Sequence, residues 1–345
     1  MSKKVGLVMF MSKKFKTIAL GLTTVFAMSL FAGCGSSQNA ASSGSGDKKN
    51  VKIGIVQLVE HNALDAANKG FVDGLKERGY EEGKNVTFDK QNAQADQSNL
   101  QNIAQRFVSD KVSLICAIAT PAAQTVANAT KDIPIVGTAI TDYVGAKLVA
   151  SNDAPKGNVT GTSDMNPVKE QIDLLMKLYP NAKTVGTIYC SSEVNSEVQV
   201  KAMKEYAESK GLKVEVATIS TVNDIQQAAQ SLVGKVDVFY EPTDNIIASS
   251  MPTLLAITDP AKKAVICGEP NMVKAGGLAT YGIDYYKLGV QTGHMAADIL
   301  DGKAKPESMA IEMAKDLKVT INKKEAAALG ITIPDDVSKD ADIVE

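Results

Sequence analysis

Two α/β lobes, each built on a parallel sheet, are what this chain predicts, on three observations. Short apolar runs alternate with stretches of helical periodicity. The alternation stops near the middle of the chain and then restarts. The residues after Cys34, out of 345 in all, suffice for two lobes of ~150 each. Strands that alternate with helices of ordinary length form parallel sheets through right-handed crossovers.

The elements follow in order. Val51–Leu58 is a short apolar run of the kind that forms a buried strand. Leu64, Ala67, Phe71 and Leu75 recur at helical spacing, and Gly79 stops that helix. Val86–Asp89 reads as a strand, and Leu100, Ile103, Ala104 and Phe107 mark a helix. Val112–Ala119 is a strand, Pro121 opens a helix at its first position, and Ile133–Thr138 is a strand. The second series begins with a helical stripe at Ile172, Leu175, Met176 and Tyr179, then a strand at Val185–Cys190. Val198, Ala202 and Tyr206 predict a helix, Val214–Ile219 a strand, and Ile225, Ala229 and Leu232 a helix. Val236–Tyr240 is a strand, Ile246–Ile257 a helix and Ala264–Cys267 a strand. No tandem repeat of 20–50 residues argues for a solenoid.

The N-terminus is an address rather than a fold. Lys13, Lys14 and Lys16 precede an apolar run, Ile18–Phe31, and then Ala32-Gly33-Cys34. That is the order of a secretory signal, 1–33, and a Cys after Ala-Gly resembles a bacterial lipobox with Cys34 as the lipid carrier. Phe31 departs from the aliphatic or small residue usual there. The run is shorter than the ~20 residues that a spanning helix needs. Met1–Lys4 is echoed at Met11–Lys14, which makes Met11 a candidate start. Residues 34–50 are a Gly/Ser-rich linker, and sixteen such residues reach roughly 22 Å as a random coil.

Composition excludes some classes. A net charge of −2 gives no basic stripe for nucleic acid. Cys116, Cys190 and Cys267 sit in apolar strand-like runs and read as buried thiols, and no CxxC or His/Cys cluster suggests a metal. No cofactor is expected. GxSxG, HExxH, a P-loop and GxGxxG after a strand are all absent, so the chain does not read as an enzyme.

In open α/β sheets, ligands bind beyond the carboxyl ends of the strands. The loops there carry Glu60 and His61; Thr120, Pro121, Ala122 and Ala123; Ser192, Glu193 and Asn195; and Asp244 and Asn245. Thr120 can cap its helix, and the free amides at that helix start attract an anion such as a carboxylate. Asp244 can accept an ammonium or serve as a plain N-cap. Glu269 is a second candidate counter-charge. His61 beside Glu60 reads as a solvated loop histidine or a hydrogen-bond partner for a ligand, more than as half of an acid–base pair.

At these loops the chain resembles the bacterial ABC-transporter solute-binding lipoproteins assigned to tryptophan and tyrosine uptake. The matching segments are VEHNALDAANKGF (59–71), NAQADQSNLQNIAQRFVSDKV (92–112), AIATPAAQTVANAT (117–130), GNVTGTSD (157–164), YCSSEVNSEVQVKAM (189–203), EPTDNIIASSMPTLL (241–255) and GGLATYGIDYYKLGVQTGHMAADIL (276–300). Asn62 stands where many members carry proline. The resemblance implies the type I periplasmic-binding fold, with two Rossmann-like lobes and a three-strand hinge. It places crossovers near Asp142–Gly161, Gly282 and Asp316. Lobe 1 is then 51–143 plus 283–316, lobe 2 is 144–282 plus 317–334, and 335–345 is a tail. It also implies an extracytoplasmic, lipid-anchored monomer that binds tyrosine or tryptophan and delivers it to an ABC permease and ATPase. In that reading Thr120 with the amides of Ala122 and Ala123 holds the carboxylate, and Asp244 with Asn245 holds the ammonium. Glu60, His61, Ser192, Glu193, Asn195 and Tyr281 line the ring pocket. Rival readings are a surface adhesin and a receptor for another solute, such as a sugar or purine.

Overall fold

The structure is a computed structural model and describes residues 50–345. The signal segment, Cys34 and all but the last linker residue lie outside the described residues. The first series comprises β1 (Val51–Gln57), α1 (Asn62–Glu77), β2 (Val86–Asn92), α2 (Gln97–Ser109), β3 (Leu114–Ile118), α3 (Thr120–Ala129), β4 (Ile135–Ile140) and β5 (Val159–Ser163). The second comprises α4 (Val168–Leu178), β6 (Thr184–Cys190), α5 (Val194–Ser209), β7 (Lys213–Ile219), α6 (Ile225–Val233), β8 (Val238–Glu241), α7 (Asn245–Ser249), α8 (Met251–Thr258), β9 (Val265–Cys267), α9 (Pro270–Lys274) and β10 (Ala279–Ile283). The chain then returns through α10 (Tyr285–Leu300) and β11 (Glu312–Met313), and ends with β12 (Leu317–Asn322), α11 (Lys323–Leu329), α12 (Asp335–Ser338) and β13 (Asp342–Val344).

Two sheets result, ordered β2-β1-β3-β4-β5-β11 and β7-β6-β8-β9-β10-β12-β13. Neighbouring strands are parallel except β10 and β12, so this is the two-lobed parallel α/β plan of the sequence reading. The central strands β3 and β4 are buried along their whole length, as strands covered by helices on both faces must be. The three crossings between lobes lie at 164–167, at Asp284 and at 314–316.

The sequence boundaries need three changes. The first crossing is not at 142–161, because β5 pairs with β4 and belongs to the first sheet, so lobe 1 extends to Ser163. The strand is Val-Thr-Gly-Thr-Ser, with a single large apolar residue, and apolar periodicity cannot find it. Its buried hydroxyls are paired instead: Thr162 Oγ1 lies 2.7 Å from Thr292 Oγ1, and Thr160 Oγ1 donates to the Met309 carbonyl at 2.7 Å. Second, 335–345 is no tail, since β13 pairs with β12 and Val337 is buried against the lobe 2 core. Third, the helix expected over 246–257 is broken at Ser250. A new helix begins at Met251 with Pro252 in its first turn, and a proline lacks the N–H that would continue the old one.

Close helix packing sets where the cleft lies. Gly70 and Gly74 of α1 face Gly289 and Gly293 of α10. A Cβ on Gly70 would sit 2.1 Å from the Tyr286 carbonyl oxygen, and one on Gly289 would sit 2.1 Å from that of Ala67. The two backbones therefore touch, and the starts of α1 and α10 are held side by side at the carboxyl edge of the first sheet. Cys116, Cys190 and Cys267 are buried free thiols. Among the described residues no helix is long and apolar enough to cross a membrane.

Candidate functional site

The backbone is strained where the first sheet meets the cleft. Ala119, just after β3, has φ 82°, and Ala139, near the end of β4, has φ 55°. Left-handed conformations at residues bearing a Cβ are costly and gather at functional sites. Ala139 opens onto a narrow cleft between the lobes, closed down to a cavity of about 10 Å³. Lobe 1 lines it with His61, Ala63 and Leu64 at the start of α1, with Ala139 and Thr141, and with Tyr285 at the start of α10. Asp164, on the first crossing, joins them. Lobe 2 supplies Asn195, Thr243, Asp244, Asn245, Ala248 and Glu269.

A polar chain ties the lobes together across this cavity. His61 Nε2 lies 3.2 Å from Asn245 Oδ1, and Asn245 Nδ2 donates to Glu193 Oε2 at 2.5 Å. A carbonyl oxygen only accepts, so the imidazole carries its proton on Nε2. Burial holds the His61 pKa below its ordinary value, so the ring is neutral near pH 7. Val194, at the start of α5 in lobe 2, packs against the lobe 1 core.

The site is acidic, and four of its carboxyls are closed off from bulk solvent. Asp164, Glu193, Asp244 and Glu269 are all buried, and among the described residues no ion pair reaches any of them. Burial raises every one of their pKa values, to about 8 for Glu193, where the Asp244 charge adds to the effect, and to about 7 for Glu269. Hydrogen bonds offset part of this. Asp244 accepts from the Cys190 amide and Ser196 Oγ, both at 2.7 Å, and caps α7 through the Ile247 amide at 2.9 Å. Glu269 caps α9 through the amides of Asn271 (2.6 Å) and Met272 (2.7 Å) and also accepts from Asn271 Nδ2. Asp164 accepts from Thr141 Oγ1 at 3.0 Å and from the Tyr285 hydroxyl at 2.7 Å. Such a site attracts a cation, and three of its carboxyls face the same small space. Among the described residues no group of His, Cys, Asp and Glu is arranged to hold a metal ion.

Of the residues singled out from sequence, the fold brings His61, Asn195, Asp244, Asn245 and Glu269 to the cavity, with Glu193 directly behind Asn245. The others lie elsewhere. Glu60 is exposed. Thr120 does not cap α3: Ala119 is the cap residue, and Thr120 Oγ1 is buried with no hydrogen-bond partner among the described residues. Ala122 and Ala123 are buried beside it, and the Ala123 amide is taken by the Ala119 carbonyl at 3.1 Å. Ser192 is exposed and lines a separate groove with Pro121 and Gln124. Tyr281 pairs with Val319 in the sheet and packs on the lobe 2 core. Sequence reasoning passed over Asp164, Thr141 and Tyr285. Asp164 ends the segment GNVTGTSD, yet with β5 unrecognised there was no strand end to inspect.

The comparisons with known proteins agree with this architecture. Residues 52–345 match the family described as ABC transporter substrate binding protein. A tyrosine-binding protein from Clostridioides difficile (strain R20291) is 44% identical over 325 residues, 92% of this chain and 93% of that protein. Two solved structures each align with 86% of the chain. One, from Streptococcus pneumoniae in complex with L-Trp, is 43% identical with TM-score 0.83, and all of it is covered. The other, a ligand-free, open substrate-binding protein with adhesive properties from Clostridium difficile, is 47% identical with TM-score 0.66, and 99% of it is covered. The lower score at the higher identity fits lobes that are closed here and apart there. The matched length, the shared fold and the cavity between the lobes make one conclusion: this chain belongs to the ABC transporter substrate-binding protein family.

Proposed function

We propose that this chain is the extracytoplasmic receptor of an ABC importer and closes on one aromatic amino acid, L-tyrosine or L-tryptophan. The observation that carries the reading is the narrow interlobe cleft, where Asp164, Asp244 and Glu269 meet with no lysine or arginine among the lining residues. A ligand ammonium supplies the missing charge. The ligand carboxylate goes to the start of α1, where His61 provides no side-chain cap and the first-turn residues Ala63 and Leu64 line the cleft. His61, Leu64 and Tyr285 provide flat and apolar surface for the ring. The names of the relatives favour the two aromatic ligands, since one binds tyrosine and another holds L-Trp.

Magnitudes show why both ends of the ligand matter. An aromatic ring buries 150–250 Å², worth roughly 4–6 kcal/mol. Micromolar binding needs about 8 kcal/mol, and association itself costs several more. Charge-assisted hydrogen bonds in a dry cleft supply the remainder. Calorimetry with the twenty amino acids tests this: micromolar or tighter binding of tyrosine or tryptophan is expected. Binding of neither, or equal binding of alanine, would end the reading. The anchor at Cys34 is a separate proposal, checked by loss of lipid labelling and membrane retention in Cys34→Ala.

A second role is favoured by one finding, the adhesive properties of the 47% identical relative. Ligand-independent attachment of the purified chain to host cells would support it.

A further inference from the structure

We infer that Asp164, carried on the first interlobe crossing, is the group that takes the ligand ammonium, and that its bond to Tyr285 passes the presence of the ligand to the hinge. This rests on the aromatic amino-acid reading above and assigns a role within it that loop position alone had given to Asp244.

The three carboxyls of the cavity differ in what they already hold. A carboxylate offers about four lone-pair positions, two on each oxygen. In Asp244, Oδ2 is filled by the Cys190 amide and Ser196 Oγ, and Oδ1 holds the Ile247 amide. In Glu269, Oε2 accepts from the Asn271 amide and side chain, and Oε1 from the Met272 amide. Both groups close helix starts within lobe 2, so their burial has a structural reason without any ligand. Asp164 caps nothing. It is 3% exposed, and each oxygen holds one hydroxyl donor, Thr141 on Oδ1 and Tyr285 on Oδ2. A lone-pair position therefore stays open on each oxygen, in a group that burial destabilises when charged. Both donors are rotatable hydroxyls, and hydroxyls also accept hydrogen bonds.

Position gives the second half of the argument. Asp164 begins the first crossing, directly after β5, and its amide is held by the Ile140 carbonyl at 3.2 Å. Tyr285 is the first residue of α10, immediately after the second crossing at Asp284. Their 2.7 Å bond thus joins two of the three hinge segments at the wall of the cavity. An ammonium on Asp164 holds this carboxyl ionised, which strengthens the bond from the tyrosine hydroxyl. Closure is then favoured by the amine itself, as differential affinity for the closed state requires.

The test uses the mature chain with L-tyrosine or L-tryptophan, whichever wild type binds more tightly, and the matching analogue that lacks the amine, 3-(4-hydroxyphenyl)propionate or indole-3-propionate. Asp164→Asn is expected to lose at least 100-fold in affinity for the amino acid. It should bind the amine-free analogue within threefold of wild type, and it should melt no lower than wild type without ligand. Equal losses for both ligands, or a loss under threefold for the amino acid, would overturn the assignment. Tyr285→Phe keeps the carboxyl and removes the strap. It is expected to retain the preference for the amine while its compaction by small-angle scattering at saturating ligand falls short of wild type. Full compaction in Tyr285→Phe would overturn the hinge half. If wild type binds no amino acid, the functional reading fails and not the assignment within it.

Discussion

The two walls of the cleft are built on opposite principles. The lobe 2 wall is a closed network in which every carboxyl is engaged by its own lobe: Asp244 caps α7, Glu269 caps α9 and Glu193 holds Asn195 and Asn245. The lobe 1 wall has a first turn at α1 without a side-chain cap and strained alanines at the ends of β3 and β4. One wall is set before any ligand arrives, and the other leaves amides and ring faces open to it. The same kind of change should therefore damage folding on one side and binding on the other.

The largest effect is expected from Asp244→Ala. It strips a helix cap and leaves the Cys190 and Ile247 amides and the Ser196 hydroxyl without their acceptor. A lost cap costs about 1 kcal/mol, and each buried unsatisfied donor about 1–3 kcal/mol more. Urea unfolding without ligand should show a loss of about 3 kcal/mol or more. A loss below about 1 kcal/mol would mean that lobe 2 is not preset as described. Gly289→Val comes next, because its Cβ would collide with the Ala67 carbonyl and push α1 from α10. Overpacking of this kind costs about 1–3 kcal/mol. It should also weaken ligand binding, since the pair positions His61 and Tyr285.

A pH series sharpens the contrast further. Glu193 and Glu269 are carboxyls whose folded pKa values, about 8 and about 7, lie above the ordinary glutamate value of 4.5. The folded state then binds more protons than the unfolded chain between pH 4.5 and 8, so stability without ligand falls as pH rises through that window. Thermal unfolding at pH 5.5 and 8 reads this directly, and Glu269→Gln should flatten the slope. A stability that climbs steadily with pH over this range would contradict the buried, protonated state of the lobe 2 wall. The smallest effect belongs to His61→Ala. It removes one neutral interlobe hydrogen bond, worth about 0.5–1.5 kcal/mol. Calorimetry should show roughly tenfold weaker binding with unfolding almost unchanged.

The legibility of the chain follows the same physical lines. Val51–Gln57 and the Leu64–Leu75 stripe were plain, because a buried strand and an amphipathic helix write their burial into apolar spacing. Val159–Ser163 was silent. It is buried through paired threonine hydroxyls, which resemble a polar loop when read one residue at a time. That silence moved the first crossing and hid Asp164 behind it. Thr120-Pro121 carried the signature of a capped helix, yet the chain enters α3 through Ala119 in a left-handed conformation, which no residue type announced.

By itself, then, the sequence determined two parallel α/β lobes and the set of polar loops at their strand ends, since apolar periodicity and chain connectivity are local properties. Tertiary structure alone decided which of those loops meet. Asp164, Tyr285 and Asp244 are far apart in the chain and share one cavity only because helices α1 and α10 pack backbone to backbone and three crossings fold one lobe onto the other. Whether a carboxyl is a helix cap or an open acceptor is likewise settled by its neighbours in space, because identical side chains differ only in which of their lone pairs are already taken.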